Sequence, residues 1–203
     1  MKQFFIIPFC MGCFINAVIA QTLNKPTNTI ESKNINNIKT SIMNNQSFTT
    51  TLVVEQTPKE VFNAINNVRG WWSEEIEGNT SNLDDEFLYH YKDVHISKLK
   101  LTEVVPNKKV VWLVENNYFQ FTKDSSEWKG TKIIFEITEQ DGKTKLQFTH
   151  LGLVPEYECY NICEQGWNNY INSSLSNLIT KGKGQPNPKE GGFNEQLLQQ
   201  LKK

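Results

Sequence analysis

Polar and apolar residues alternate along this chain with two different periods. In FTTTLVV, the residues Phe48, Thr50, Leu52 and Val54 fall on one face, the period of two of a half-buried strand. Thr57-Pro58-Lys59-Glu60 then forms a capping box, with Thr57 at the N-cap, Pro58 at the first helical position and Glu60 closing the box. It opens a short helix that carries Val61, Phe62, Ile65 and Val68 inward and ends at Arg69-Gly70-Trp71-Trp72. Two adjacent tryptophans cannot point the same way, so either one belongs to the core and the other to a rim or opening, or both plug one end of the core. From Phe87 to His150 the period of two returns. Phe87, Tyr89 and Tyr91 share a face, as do Leu99, Leu101 and Val105, then Ile133, Phe135 and Ile137, then Leu146, Phe148 and His150. Val110 to Glu115 is almost continuously apolar around Trp112, which predicts a strand covered on both faces. Pro106 to Lys109, Asn116-Asn117 and Lys123 to Lys129 read as turns, and Asp141-Gly142 as a tight hairpin. Strands joined by hairpins make an antiparallel meander.

After this meander the period changes to that of a helix. Between Pro155 and Lys181 apolar or small residues recur at Tyr160, Cys163, Trp167, Tyr170, Ser174 and Leu178, widened by Ile171 and Leu175. Pro155 suits a first helical turn, and Lys181-Gly182 suit a C-terminus. A helix of roughly 27 residues is ~40 Å long, enough to cross a small sheet. Gly166 in its middle costs about 1 kcal/mol relative to Ala, and such a glycine often lets a backbone or a ligand come close. The predicted architecture is therefore α+β, a curved antiparallel sheet gripping one long C-terminal helix.

Composition narrows the function. The chain has 203 residues, 21% charged, with formal net charge −1. Without a basic face it is not expected to bind nucleic acid. The first 20 residues, MKQFFIIPFCMGCFINAVIA, have one lysine, an apolar run broken by Pro8, Gly12 and Asn16, and a small-residue cleavage site before Gln21. They read as a secretory signal peptide, leaving no membrane span after cleavage and an exported protein. A start at Met43 instead would make it cytoplasmic. Residues 21–46 are an asparagine-rich spacer, 47–186 the folded domain, and 187–203 a polar tail with a short helix. Of the four cysteines, Cys10 and Cys13 leave with the leader, while Cys159 and Cys163 read as buried small hydrophobes. No metal-ligand set, phosphate loop or cofactor motif is present in the pattern.

Taken together, Thr57-Pro58-Lys59-Glu60-Val61-Phe62, Trp71-Trp72, and Gly166-Trp167 through Ser174-Leu175 to Gly182-Lys183-Gly184-Gln185-Pro186 resemble the SRPBCC superfamily, of START-like and Bet v 1-like helix-grip domains. Its branch like the activator of Hsp90 ATPase is the most similar. The resemblance covers about Ser47 to Pro186 and implies an apolar cavity between sheet and helix. It further implies binding of small hydrophobic or amphipathic molecules, with cyclisation or hydrolysis in some members and a chaperone partner in the Hsp90-activator branch. An exported chain would not meet that intracellular chaperone.

The cavity that the resemblance implies would be lined by the inward-facing rings and their neighbours: Trp71, Tyr89, Tyr91, Trp112 and Phe135, then Phe148, His150, Tyr160 and Trp167. These rings would either line a pocket or fill it. Of the three histidines, His150 is the one expected beside the helix and so the candidate acid or base. His90 should point away from Tyr89 and Tyr91, and Glu74-Glu75 and Asp84-Asp85-Glu86 should be solvated. The sequence favours a ligand-binding module, then an interaction module, then a cavity enzyme.

Overall fold

The computed structural model describes residues 47–189, together with Gln196, Gln199 and Gln200. The leader at 1–20, the spacer at 21–46, the start at Met43 and most of the 187–203 tail lie outside these residues.

Strand β1 (Phe48–Val54) is followed by helix α1 (Pro58–Asn66) and a 3₁₀ turn (Val68–Gly70). The remaining strands are β2 (Glu77–Gly78), β3 (Glu86–Tyr91), β4 (His95–Val105), β5 (Lys109–Phe119), β6 (Lys132–Gln140) and β7 (Lys143–Leu151). They form one curved, fully antiparallel sheet in the order β1-β7-β6-β5-β4-β3-β2. The sequential pairs from β2 to β7 make the expected meander, and β1 closes on β7, with Phe48 opposite His150. The predicted capping box is present: Thr57 N–H donates to Glu60 Oε2 at 2.8 Å and Glu60 N–H to Thr57 Oγ1 at 3.3 Å. Asp141 and Gly142 both take positive φ, +53° and +74°, as a tight hairpin with two left-handed residues requires. Across the concave face runs α2 (Tyr160–Asn169), continued without a break by a π-helical stretch (Tyr170–Leu175) and by α3 (Ser176–Lys181). This is the helix-grip architecture.

Three local expectations are corrected. The helix starts at Tyr160 rather than Pro155, because the loop before β6 supplies its terminator. The Glu127 carboxylate, buried, accepts from the Glu158 N–H at 2.7 Å and the Cys159 N–H at 3.0 Å, satisfying donors that have no partner inside a helix. Asn116-Asn117 is not a turn: β5 runs on to Phe119, with the Asn117 side chain held by Ser97 and the Ser125 carbonyl. Glu75 is not solvated but buried, with an oxygen 3.4 Å from His90 Nδ1 on the outer side of β3.

The chain also stays in the fold beyond Pro186. Gly182 caps α3 with φ +73°, and residues 184–189 return along the Trp72–Glu74 segment. Asn187 N–H donates to the Trp72 carbonyl at 2.9 Å, and Glu74 N–H to the Asn187 carbonyl at 3.0 Å. Gly184 lies where a Cβ would stand 2.2 Å from the Gly70 carbonyl oxygen, so only glycine permits this crossing. Ser174 ties the strap to the helix, donating to the Trp71 carbonyl at 2.6 Å and accepting from the Gln185 N–H at 2.7 Å.

Candidate functional site

The two tryptophans after α1 lie nearly parallel, 6.1 Å apart, and divide the interior between core and cavity. Trp71 is fully buried, donates its indole N–H to the Ile65 carbonyl at 3.1 Å, and packs on Trp112 and Phe135. Trp112, Phe135 and Phe148 continue this ring cluster, with centroid distances of 4.9 Å and 5.2 Å. These four expected lining residues are therefore core, because Trp71, set in place by the turn after α1, fills the space over Trp112 and Phe135, while Trp167 covers Phe148. Trp72 is the residue that turns to the opening.

That opening is a cavity of about 220 Å³ beside the first turns of the long helix. Trp72 stacks face to face on Tyr89 of β3, at 4.2 Å and 15°, and these form one wall with Tyr170 of the π-helical stretch. Trp128 and Trp167, nearly parallel at 5.7 Å, form the other with Phe119 and His95. Gly166 and Cys163 close it along the helix. Half-exposed Tyr91, Phe121 and Ile162 mark its mouth. Of the residues expected from sequence, Tyr89, Tyr91 and Trp167 line this space; Tyr160, half-buried, packs at the edge of the core instead.

His150 is fully buried and does not reach the cavity. Its Nδ1 accepts the Trp167 indole N–H at 2.9 Å. Its Nε2 stands 2.9 Å from Thr131 Oγ1, whose own hydrogen goes to the Trp128 carbonyl at 2.6 Å. The neutral ring therefore carries its hydrogen on Nε2. Burial, reinforced by nearby His95, pushes its pKa down to about 3. Its task is to position Trp167, and through Thr131 the Trp128 loop.

His95 is the histidine at the cavity. Its ring packs against Tyr89, Phe119 and Trp128 at 4.9, 4.4 and 4.7 Å. Nε2 lies 2.8 Å from Ser97 Oγ and 3.2 Å from Asn117 Oδ1. Ser97 donates its own hydrogen to Asn117 Oδ1 at 2.7 Å, while Asn117 Nδ2 donates to the Ser125 carbonyl at 3.1 Å. Both groups facing Nε2 are thus acceptors, and Nε2 must carry the hydrogen. Burial among rings pushes His95 down to about 3, so it is uncharged at neutral pH. Burial also raises the phenols of Tyr89 and Tyr170. Asn187 of the returning strap donates to Tyr170 Oη at 2.8 Å and stands 3.4 Å from Tyr89 Oη. The site is neutral, aromatic and anchored on three sides.

Sequence pattern missed Trp128, His95 and Phe119, and of the tryptophan pair it chose Trp71 for the lining where Trp72 holds that place. A single tryptophan in the polar stretch KDSSEWKG is the signal that could have found Trp128, since such a ring needs somewhere to bury. Cys159 and Cys163 are free and buried; their mutual hydrogen bond and burial raise the Cys159 thiol, in keeping with inert packing. Among the described residues no three His, Cys, Asp or Glu converge on a metal position, and no helix is long and apolar enough to cross a membrane.

The fold is shared with solved structures. The Aha1 dimer from Colwellia psychrerythraea is 20% identical, with TM-score 0.55 over 68% of this chain and 98% of that one. Protein MLL2253 from Mesorhizobium loti is 13% identical, with TM-score 0.51 over 66% and 98%. DynU16, a protein of the dynemicin biosynthetic locus, is 13% identical, with TM-score 0.52 over 74% of this chain and 51% of its own. No curated protein matches the sequence. Residues 55–180, spanning the capped helix α1 through nearly all of the long helix, match the model of the Activator of Hsp90 ATPase homolog 1-like protein family, and the chain belongs to that family.

Proposed function

We propose that this domain binds a small hydrophobic or amphipathic ligand in the cavity between sheet and long helix, within an exported protein. The observation that carries the reading is an open space of about 220 Å³ walled by rings and bounded by no charged side chain. Such a surface gains free energy by shedding water onto an apolar guest, at roughly 25 cal/mol per Å² buried. The polar groups at the walls, His95 and the Tyr89 and Tyr170 hydroxyls, are few and fixed, the usual arrangement for orienting a guest. Native mass spectrometry of protein purified from its own host tests this. A small apolar adduct on a chain starting at Gln21 is expected. A bare chain that also fails to bind a dye such as ANS saturably would overturn the binding reading, and a mass starting at Met43 would overturn export.

The family's name favours a second reading, a chaperone-cofactor module. It requires an intracellular chain and a protein-facing surface. Recovery of an Hsp90-type chaperone on the immobilised domain, undiminished by filling the cavity, is the result it predicts.

A further inference from the structure

We infer that the cavity takes a flat aromatic molecule of one or two rings carrying a single N–H or O–H donor, of the phenol or indole class, with His95 Nδ1 as the acceptor. This rests on the cavity being the binding site and goes on to say what it selects.

Size comes first. A dry cavity of about 150 Å³ is known to hold benzene, and drug-sized ligands occupy roughly 300–1,000 Å³. At about 220 Å³ this space suits one ring or two fused rings, not a folded acyl chain or a sterol. Shape comes second. Within each wall the rings stack on one another, Trp72 on Tyr89 and Trp128 on Trp167, and across the walls Trp72 meets Trp167 at 5.2 Å and 45°. The rings bordering the space thus offer edges and outer faces, against which a flat guest can offset-stack or pack edge to face. Charge comes third. No Lys, Arg, Asp or Glu lines the cavity, so an anion would give up its hydration with no opposite charge in return, and a cation would find only ring faces.

Donor preference follows from the histidine. The hydrogen bonds His95 makes among the described residues are both through Nε2, to Ser97 and Asn117. The Ser97–Asn117–Ser125 chain fixes that nitrogen as the N–H, which leaves Nδ1 as a lone-pair acceptor on a ring that lines the cavity. A neutral imidazole at physiological pH can accept a hydrogen bond but has no proton on Nδ1 to offer. A guest with a donor satisfies it, and one without leaves a half-buried acceptor dry.

Calorimetric titration of the purified protein with four probes tests this: indole, its donor-free isostere benzothiophene, 1-octanol and tetramethylammonium. Indole is expected to bind about tenfold more tightly than benzothiophene, the ordinary value of one hydrogen bond made in place of an unpaired acceptor. In H95F, checked for native near-ultraviolet circular dichroism, the two affinities should converge. Equal affinities for indole and benzothiophene in the wild type would overturn the role of His95. Octanol or tetramethylammonium binding as tightly as indole would overturn the flat-ring selectivity while leaving the cavity a binding site. No binding of any probe, with no saturable dye binding either, would overturn the cavity as a site altogether.

Discussion

Trp167 donates its indole N–H to Nδ1 of His150 at 2.9 Å, and both side chains are buried. The bond joins the last long strand to the long helix and sets the angle of the ring that forms one cavity wall. His150→Leu would leave that N–H unpaired in the interior, at a cost of about 1–3 kcal/mol. Trp167→Phe would orphan the imidazole and leave a void as well. Removing both polar partners is far less costly than the two single changes suggest, because no polar group is then stranded. Urea denaturation of the singles and the double should give a coupling of about 1 kcal/mol or more. Additive losses would show that the contact has no energetic weight.

Half-buried His95 and fully buried His150 make stability fall on acidification earlier than carboxylates alone would. Both are neutral in the fold, with pKa values pushed down to about 3, while an unfolded histidine protonates near its ordinary 6.5. Between those values the unfolded chain binds more protons than the folded one, so stability drops as pH falls. The slope reaches about 1.4 kcal/mol per pH unit for each histidine. Denaturation midpoints should therefore decline already from pH 6.5 to 5.5, and H150F should flatten that limb. A midpoint independent of pH over this interval would contradict the burial of neutral imidazoles.

Glu127 and the start of the long helix make a third case. Its carboxylate receives the N–H groups of Glu158 and Cys159, more than thirty residues along the chain, and sits next to the cavity residue Trp128. Glu127→Ala strands two donors at the positive end of the helix and should cost about 1–2 kcal/mol. For a domain of this size that is a fall of roughly 2–8 °C in Tm. Glu127→Gln keeps one acceptor and should lose less. Equal melting of all three proteins by calorimetry would rule the cap out.

Such long-range anchors explain what was readable in the sequence and what was not. Strand faces, the Thr57–Glu60 box, the Asp141-Gly142 hairpin and the helical stripe are local in sequence, each decided by neighbours within a few positions, and the helix-grip architecture follows from their order. The family resemblance agreed with that order. The helix start at Tyr160 was not legible, because it depends on a carboxylate from another loop. Alternation also says which face a ring is on but not where along the strand the sheet and helix separate. Trp112, Phe135 and Phe148 share the inward face with Tyr89, yet they fill the core where the layers touch, while Tyr89 lies where they part. Residues 187–189 fell in the segment read as a polar tail, and the fit of Gly184 against Gly70 shows that they continue a strap along the domain.

Gly166 offers the sharpest separation of folding from binding. It lies in the interior of α2 and lines the cavity, and a Cβ built there meets only Tyr170 Cε2, at an ordinary 3.7 Å. A glycine inside a helix costs about 1 kcal/mol relative to alanine, so Gly166→Ala should stabilise the domain by that order. Gly166→Leu keeps most of the helical gain but extends a branched side chain toward the space between Tyr170 and the mouth. It should remain folded with an undiminished urea midpoint and lose at least about tenfold in affinity for a ring-sized ligand, since apolar contact is replaced by overlap. The pair of measurements is decisive because the fold gains while the site is blocked. A leucine variant that is stable and still binds indole like the wild type would place the binding site elsewhere on the domain.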